Sequence, residues 1–257
     1  MKIAVLVKQV PGSESEIAIN DNETWIDHLS ATFVGNPPDE YALEEALLIK
    51  EAIGEGEVVV FSMGPVRAEK VIRECLAKGA DRGIHIEDND DIEIDPLTIA
   101  KRFTQVFKEN NFDLILSGIQ SDDTGMGQTG IMIGEMLNMP TATLVVETNI
   151  IDKSIRVKRE LESGWFQWVQ LPLPASITIQ SGINNPRYPS LKGIMGAKKK
   201  EIKKIPIADS IKSKKYQKIE KLRLPQSTKK TEIIEGDTQL VADRIVEILK
   251  TEIKVFQ

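Results

Sequence analysis

Little in this chain supports covalent or metal chemistry of its own. One cysteine, Cys75, stands among 257 residues. No internal disulfide can form, and the sequence suits a reducing compartment, the cytoplasm. There are two histidines, His28 and His85. Neither lies in a metal-ligand or nucleophile–base spacing, so a structural role is expected for each. GxSxG, HExxH and CxxC are all missing, and with them the signatures of esterase, zincin and dithiol chemistry. No apolar run approaches the ~18 residues of a membrane-spanning helix. The opening MKIAVLVKQV has an apolar stretch, Ile3–Val7, too short for a signal peptide, and reads as a buried first strand.

Charge is scarce in one sense and crowded in another. The net charge is −6, yet residues 187–230 hold fifteen Lys/Arg against Glu201, Asp209 and Glu220, a local +12 that leaves −18 for the rest. A basic arm on an acidic body fits nucleic acid, a membrane surface or an acidic protein partner. Tyr188 and Tyr216 are the only aromatics in that stretch, which disfavours base stacking and hence nucleic acid.

What the chain does have is alternation. Ile3–Val7, Val58–Ser62, Gly83–Ile86 and Phe112–Leu116 read as strands, the β-branched Val58–Ser62 as a buried parallel one. Asp39–Ile53 puts Ala42, Ala46, Ile49 and Ile53 on one helical face. Ala68–Lys78 does the same with Ala68, Ile72, Cys75 and Leu76 and stops at Gly79. Pro96–Asn110 starts with proline in its first turn. The order predicts an α/β fold with a mostly parallel, doubly wound sheet. After Pro140, the short runs Thr141–Glu147, Ile155–Glu160, Phe166–Gln170 and Ala175–Gln180 are expected as antiparallel additions to that sheet. From Asn184 the chain turns into a Lys-rich arm ending in an amphipathic helix, Thr238–Lys250. An arm with so little core needs a surface to lie on, and a partner subunit is expected.

Ligands of such sheets bind at the carboxyl ends of strands. Three ends line up, Leu6–Lys8, Phe61–Gly64 and Ser117–Thr129, beside Gly35–Asp39 at the start of the first helix. The third carries SGIQSDDTGMGQTG (117–130) between a strand and a helix. It is no P-loop, since no lysine follows its glycines, and nucleoside triphosphate hydrolysis is not expected. A helix start supplies about 0.3–1 kcal/mol toward an anion, whereas micromolar binding needs about 8 kcal/mol. Several loops must therefore converge, and a nucleoside must add apolar and hydrogen-bonding contacts. Asp122 and Asp123 cannot face a phosphate; one is expected to accept hydrogen bonds from backbone N–H groups or ribose hydroxyls. A ligand-free turn and a stand-alone adenylate-binding module remain alternatives at this point.

Taken in order, VKQVP (7–11), NPPDEYALEEAL (36–47), SMGP (62–65), CLAKGADRGIHIED (75–88), the 117–130 loop, VKRELESG (157–164) and NNPRYPSLKGIMGAKKK (184–200) resemble the beta subunit of electron-transfer flavoproteins over nearly the whole chain. The resemblance implies an adenine-nucleotide alpha-hydrolase-like α/β domain over residues 1–183, and a recognition loop and arm over 184–257 that wraps the alpha subunit. It implies no catalytic side chains and no direct membrane insertion. The alpha subunit would hold most of the FAD. The beta subunit would shield it and bind AMP, or, in a bifurcating branch, a second FAD at the same place. Electrons would come from a flavin dehydrogenase such as an acyl-CoA dehydrogenase and pass to a quinone reductase or another acceptor. The implied nucleotide site is Leu6, Asn36, Pro37, Pro38, Asp39, Met63, Gly118, Ile119, Gln120, Ser121, Asp122, Asp123, Thr124, Gly125, Met126, Gly127, Gln128 and Thr129. The implied docking residues are Tyr188, Pro189, Leu191, Ile194 and Met195. Gly12 and Ser13 stand where the family often has an aromatic flavin contact, and that contact is not expected here.

Overall fold

The computed structural model describes residues 1–88, 95–206, 216–225, 231 and 233–254. Residues 207–215 and 226–230 of the predicted arm lie outside the described residues. Two compact units are present, Met1–Leu222 and Arg223–Gln257.

The first unit is built on a nine-stranded sheet. In chain order its strands are β1 (Lys2–Leu6), β4 (Glu57–Gly64), β5 (Arg82–Glu87), β6 (Leu114–Gly118), β7 (Thr141–Ile151), β8 (Ser154–Glu160), β9 (Phe166–Pro172), β10 (Ala175–Ile179) and β11 (Ile202–Pro206). A small pair, β2 (Gln9–Pro11) and β3 (Phe33–Gly35), stands apart. The spatial order is β11-β5-β4-β1-β6-β10-β7-β8-β9. Every neighbour pair from β11 to β7 is parallel, and β8 and β9 continue antiparallel.

Helices cover both faces, as the alternation along β1 requires. Ile3 and Val5 pack with Ala42, Leu43 and Ala46 of α1 (Pro37–Ile53) and with Ile72 and Leu76 of α2 (Glu69–Lys78). Ala4 and Leu6 point the other way. They meet Phe103 and Phe107 of α3 (Pro96–Lys108) and Ile133 of α4 (Thr129–Met136). Each of the Ile, Val, Leu and Phe side chains among them, fully buried, contributes about 1.5–3 kcal/mol. The chain leaves β1 toward β4 and β5 on one side and returns through β6 on the other. That reversal opens a crevice above the carboxyl ends of β1 and β6.

Two expectations are overturned. Thr141–Glu147, within β7, joins the sheet parallel to β10 and is antiparallel only to β8. Ala175–Gln180 does not extend the sheet antiparallel either. As β10 it inserts between β6 and β7 and runs parallel to both. All five of its residues are buried, and a strand covered on both faces carries no alternation to reveal its direction. Residues 191–206 form a helix, α5 (Leu191–Ala197), and the edge strand β11.

The second unit holds α6 (Thr238–Thr251), capped by Asp237, whose side chain accepts from Leu240 N at 2.9 Å. None of its residues is buried. Among the described residues no helix is long and apolar enough to cross a membrane.

Candidate functional site

The crevice is closed at its base by Asp39. It sits in the first turn of α1, where an acidic side chain complements the helix dipole. Its Oδ2 accepts from Lys8 N at 2.8 Å and its Oδ1 from Gly118 N at 2.9 Å. One carboxyl thus ties the ends of β1 and β6 to the start of α1. The fit is tight: a methyl group on Gly118 would lie 2.6 Å from both Asp39 Oδ1 and the Pro38 carbonyl carbon. Burial pushes the Asp39 pKa up to about 7, while the two backbone donors, Asn36 and the Lys8 ammonium hold it down.

Asn36 precedes α1 but does not cap it. Its amide reaches across the crevice instead. Nδ2 donates to Gln120 O at 3.0 Å and Oδ1 accepts from Asp122 N at 3.0 Å. Pro37 and Pro38 follow, so the first two helical positions of α1 have no N–H to offer. The start of α4 is different. Gln128 gives it no side-chain cap, and the first intrahelical bond runs from Met132 N to Gln128 O. The N–H groups before it remain available to a ligand. Gly125 and Gly127, at φ +61° and +62°, supply the left-handed turns that bring the loop round to that point.

The loop has no lysine, but the segment that follows β1 delivers one. Lys8 Nζ lies 2.7 Å from Asp123 Oδ1 and 3.3 Å from Ser121 Oγ. Asp123 also accepts from Thr124 N at 2.8 Å, so this acid accepts a backbone N–H, as expected of one of the pair, but takes a lysine too. Asp122 is exposed and enters the network through its N–H alone. The Ser121 and Thr124 hydroxyls lie 3.0 Å apart.

Together these elements enclose a cleft of about 130 Å³. Of the residues expected at a nucleotide site, Leu6, Asn36, Asp39, Met63, Gly118, Ile119, Gln120, Ser121, Thr124, Met126, Gly127, Gln128 and Thr129 line it. Pro37, Pro38, Asp122, Asp123 and Gly125 do not. The cleft also takes in Lys8, Ser117, Gly130, Pro96, Ile99 and Phe103, none of which was among the predicted site residues. Lys8 lies two residues past the end of β1 and was legible as part of the Leu6–Lys8 strand end. Of the three α3 residues, Pro96 was expected only in the helix's first turn, and the apolar spacing of Ile99 and Phe103 does not tell a core face from a cleft wall. One side of the cleft is polar and rich in backbone groups. The other, with Leu6, Met63, Ile99 and Phe103, is apolar. Such a cleft suits a flat heterocycle carrying one anionic group.

The predicted docking residues form a separate surface. Tyr188 is 95% and Leu191 84% exposed, and Ile194 and Met195 are exposed beside them on α5, with Pro189 half-buried. The backbone beneath is firmly held. Arg187 pairs with Glu44 (2.8 Å) and Glu51 (2.6 Å), Arg73 donates to the carbonyls of Ala197 and Lys200, and Lys200 Nζ donates to those of Leu76 (3.0 Å) and Ala80 (2.6 Å). Ser190 caps α5 through Gly193 N. Cys75 is buried and its thiol is pushed up to about 12, so it offers no nucleophile at neutral pH.

The electron transfer flavoprotein domain family matches residues 26–210. The chain is 35% identical to the electron transfer flavoprotein subunit beta of Methylophilus methylotrophus, across 97% of this chain and 98% of that one. It is 34% identical to the subunit beta of Bacillus subtilis (strain 168), across 99% and 100%. With the mitochondrial subunit beta of Arabidopsis thaliana it shares 40% identity over 81% of this chain and 83% of the other.

Proposed function

This chain belongs to the electron transfer flavoprotein family as a beta subunit, and on that premise we propose that it binds AMP in the β1/β6 cleft, pairs with an alpha subunit and shields that subunit's FAD. The FAD supplies the redox chemistry when bound; this chain contributes no catalytic side chain and serves as holder and docking surface.

The observation that carries the nucleotide reading is the division of labour inside the cleft. The apolar wall of Met63, Ile99 and Phe103 suits an adenine ring. The opposite wall offers Ser121, Thr124 and Thr129 hydroxyls and the uncapped start of α4 for a phosphate. Lys8, the one lysine lining the cleft among the described residues, is already paired with Asp123. A single phosphate group therefore matches the donors present, and among the described residues lining the cleft a triphosphate would find no free cation to polarise it.

The docking reading rests on apolar side chains held out on a rigid base. Leu191 and its neighbours fit the description of an interface anchor ringed by lysines, with the basic surround steering an acidic dehydrogenase. The alpha subunit has a different candidate surface. On β9 the exposed Phe166 and Trp168 are covered by Lys158 and Arg156, each cation 4.4 Å from a ring centroid. Aromatic residues with arginine are enriched in interfaces. The apolar face of α6 is a second contribution to the same partner.

The test is to purify the chain with its alpha subunit, denature the complex and identify the released nucleotides by mass. One FAD and one AMP are expected. Two FAD would place the complex in the bifurcating branch, and FAD with no second nucleotide would overturn the cleft's assignment.

A further inference from the structure

Outside the cleft, a buried histidine lies between two acids. His85, on β5, is 0% exposed. Its Nε2 stands 2.9 Å from Gly64 O. A carbonyl can only accept, so Nε2 carries the proton, and in the neutral ring Nδ1 presents a bare lone pair. That Nδ1 is buried and has no hydrogen-bond partner. Glu69 Oε1 lies 3.9 Å from it, at the start of α2. Glu87 lies two residues beyond His85 on the same strand and shares its face. One ligand atom from each of Glu69, His85 and Glu87 can be chosen so that all lie within 4.8 Å of one another.

We propose that Glu69, His85 Nδ1 and Glu87 form a binding site for a divalent first-row transition ion such as Zn²⁺. Three features support it. First, a metal-ligating histidine characteristically donates its other ring N–H to a backbone carbonyl or carboxylate, which fixes the tautomer and the ring; the bond to Gly64 O does this. Second, the spacing is close to what coordination needs. Three ligands about 2.1 Å from one tetrahedral ion lie about 3.4 Å from one another, so movements of about an ångström by the two partly exposed carboxylates close the gap. Third, the site already holds a cation. Lys204, in register with His85 on the neighbouring strand β11, places Nζ against Glu69 and 3.7 Å from Glu87. An ion would take the place of this ammonium and, unlike it, would satisfy the Nδ1 lone pair. Lys204 is half exposed and both glutamates are partly exposed, which opens a path from solvent. One imidazole with two carboxylates favours Zn²⁺, Fe²⁺ or Mn²⁺ over softer ions.

The full-length chain, purified with its partner subunit and stripped with a chelator, would be titrated with Zn²⁺ by calorimetry and with Co²⁺ by visible absorption. One equivalent is expected to bind. Glu87→Gln should weaken binding at least about tenfold, on the scale of lost ligand-shell groups. Lys204→Ala removes the competing ammonium and should tighten it. Both positions are partly exposed, so both variants are expected to fold, and their flavin and nucleotide content would verify this. The absence of stoichiometric binding overturns the site, as does an affinity untouched by Glu87→Gln or weakened by Lys204→Ala.

Discussion

Two loops of this molecule lead into short helices and treat them in opposite ways. The 117–130 loop turns its polar groups inward: Asn36, Lys8 and Asp39 stitch it to β1 and α1, and the start of α4 is left uncapped toward the cleft. The 184–200 loop turns its polar groups backward. Arg187, Arg73 and Lys200 fasten it to α1 and α2, the helix start is capped by Ser190, and its apolar side chains are left outside. The first loop leaves backbone donors open toward the cleft, and the second leaves hydrophobic area open to solvent.

The sharpest way to break that contrast is at Gly118. Gly118→Ala drives a methyl into Asp39 and Pro38 and should cost about 3 kcal/mol in urea unfolding, with the bound nucleotide lost. Next is Asn36→Ala, which leaves Gln120 O and Asp122 N without their partner. It should cost about 2 kcal/mol and loosen nucleotide retention while docking kinetics stay as in the parent. On the outer loop the expected pattern reverses. Leu191→Ala should slow electron transfer from the dehydrogenase about tenfold, with the unfolding midpoint and flavin spectrum unchanged. A parent-like rate would remove Leu191 as the anchor.

The two loops should also answer pH with opposite sign. The Asp39 pKa is raised in the fold to about 7. Its contribution to stability is complete below the ordinary carboxylate range and is lost as pH rises through about 7. Glu51 is lowered, chiefly by its hydrogen bond to Arg187, so its contribution is present above its ordinary value and is lost as pH falls through the lowered one. Asp39→Asn should flatten the fall in stability between about pH 4 and 7, and Glu51→Gln should leave that window unaltered. The smallest effect is expected at Gly196, where an added methyl group meets nothing within 4 Å. Gly196→Ala should stabilise the chain by about 0.5 kcal/mol through helix propensity alone.

The strands around the cleft were legible because buried parallel strands are written as short apolar runs, and the helices because they are amphipathic. The strand ends, and with them most of the cleft wall, followed from position. Lys8 was harder. Its partner Asp123 is 115 residues away in sequence, and no local pattern encodes such a pairing. The same distance problem hid Glu69, His85, Glu87 and Lys204, which two strands and a helix start bring together. The place of β10 was misread because burial on both faces erases alternation. The edge strand β11 was hidden by Lys203 and Lys204, residues that mark a solvated arm in sequence but also protect a sheet edge from pairing.

The position of β10 has a consequence for how the protein is made. It lies between β6 and β7 but emerges from the ribosome after β7, β8 and β9. Until it arrives, β6 has an open edge and the three-strand extension has nothing to join. At about 5–20 residues per second, that exposure lasts for seconds of synthesis. Completing the sheet then needs β10 to enter between two strands that precede it in the chain, a non-local pairing whose loop-closure entropy falls late in synthesis.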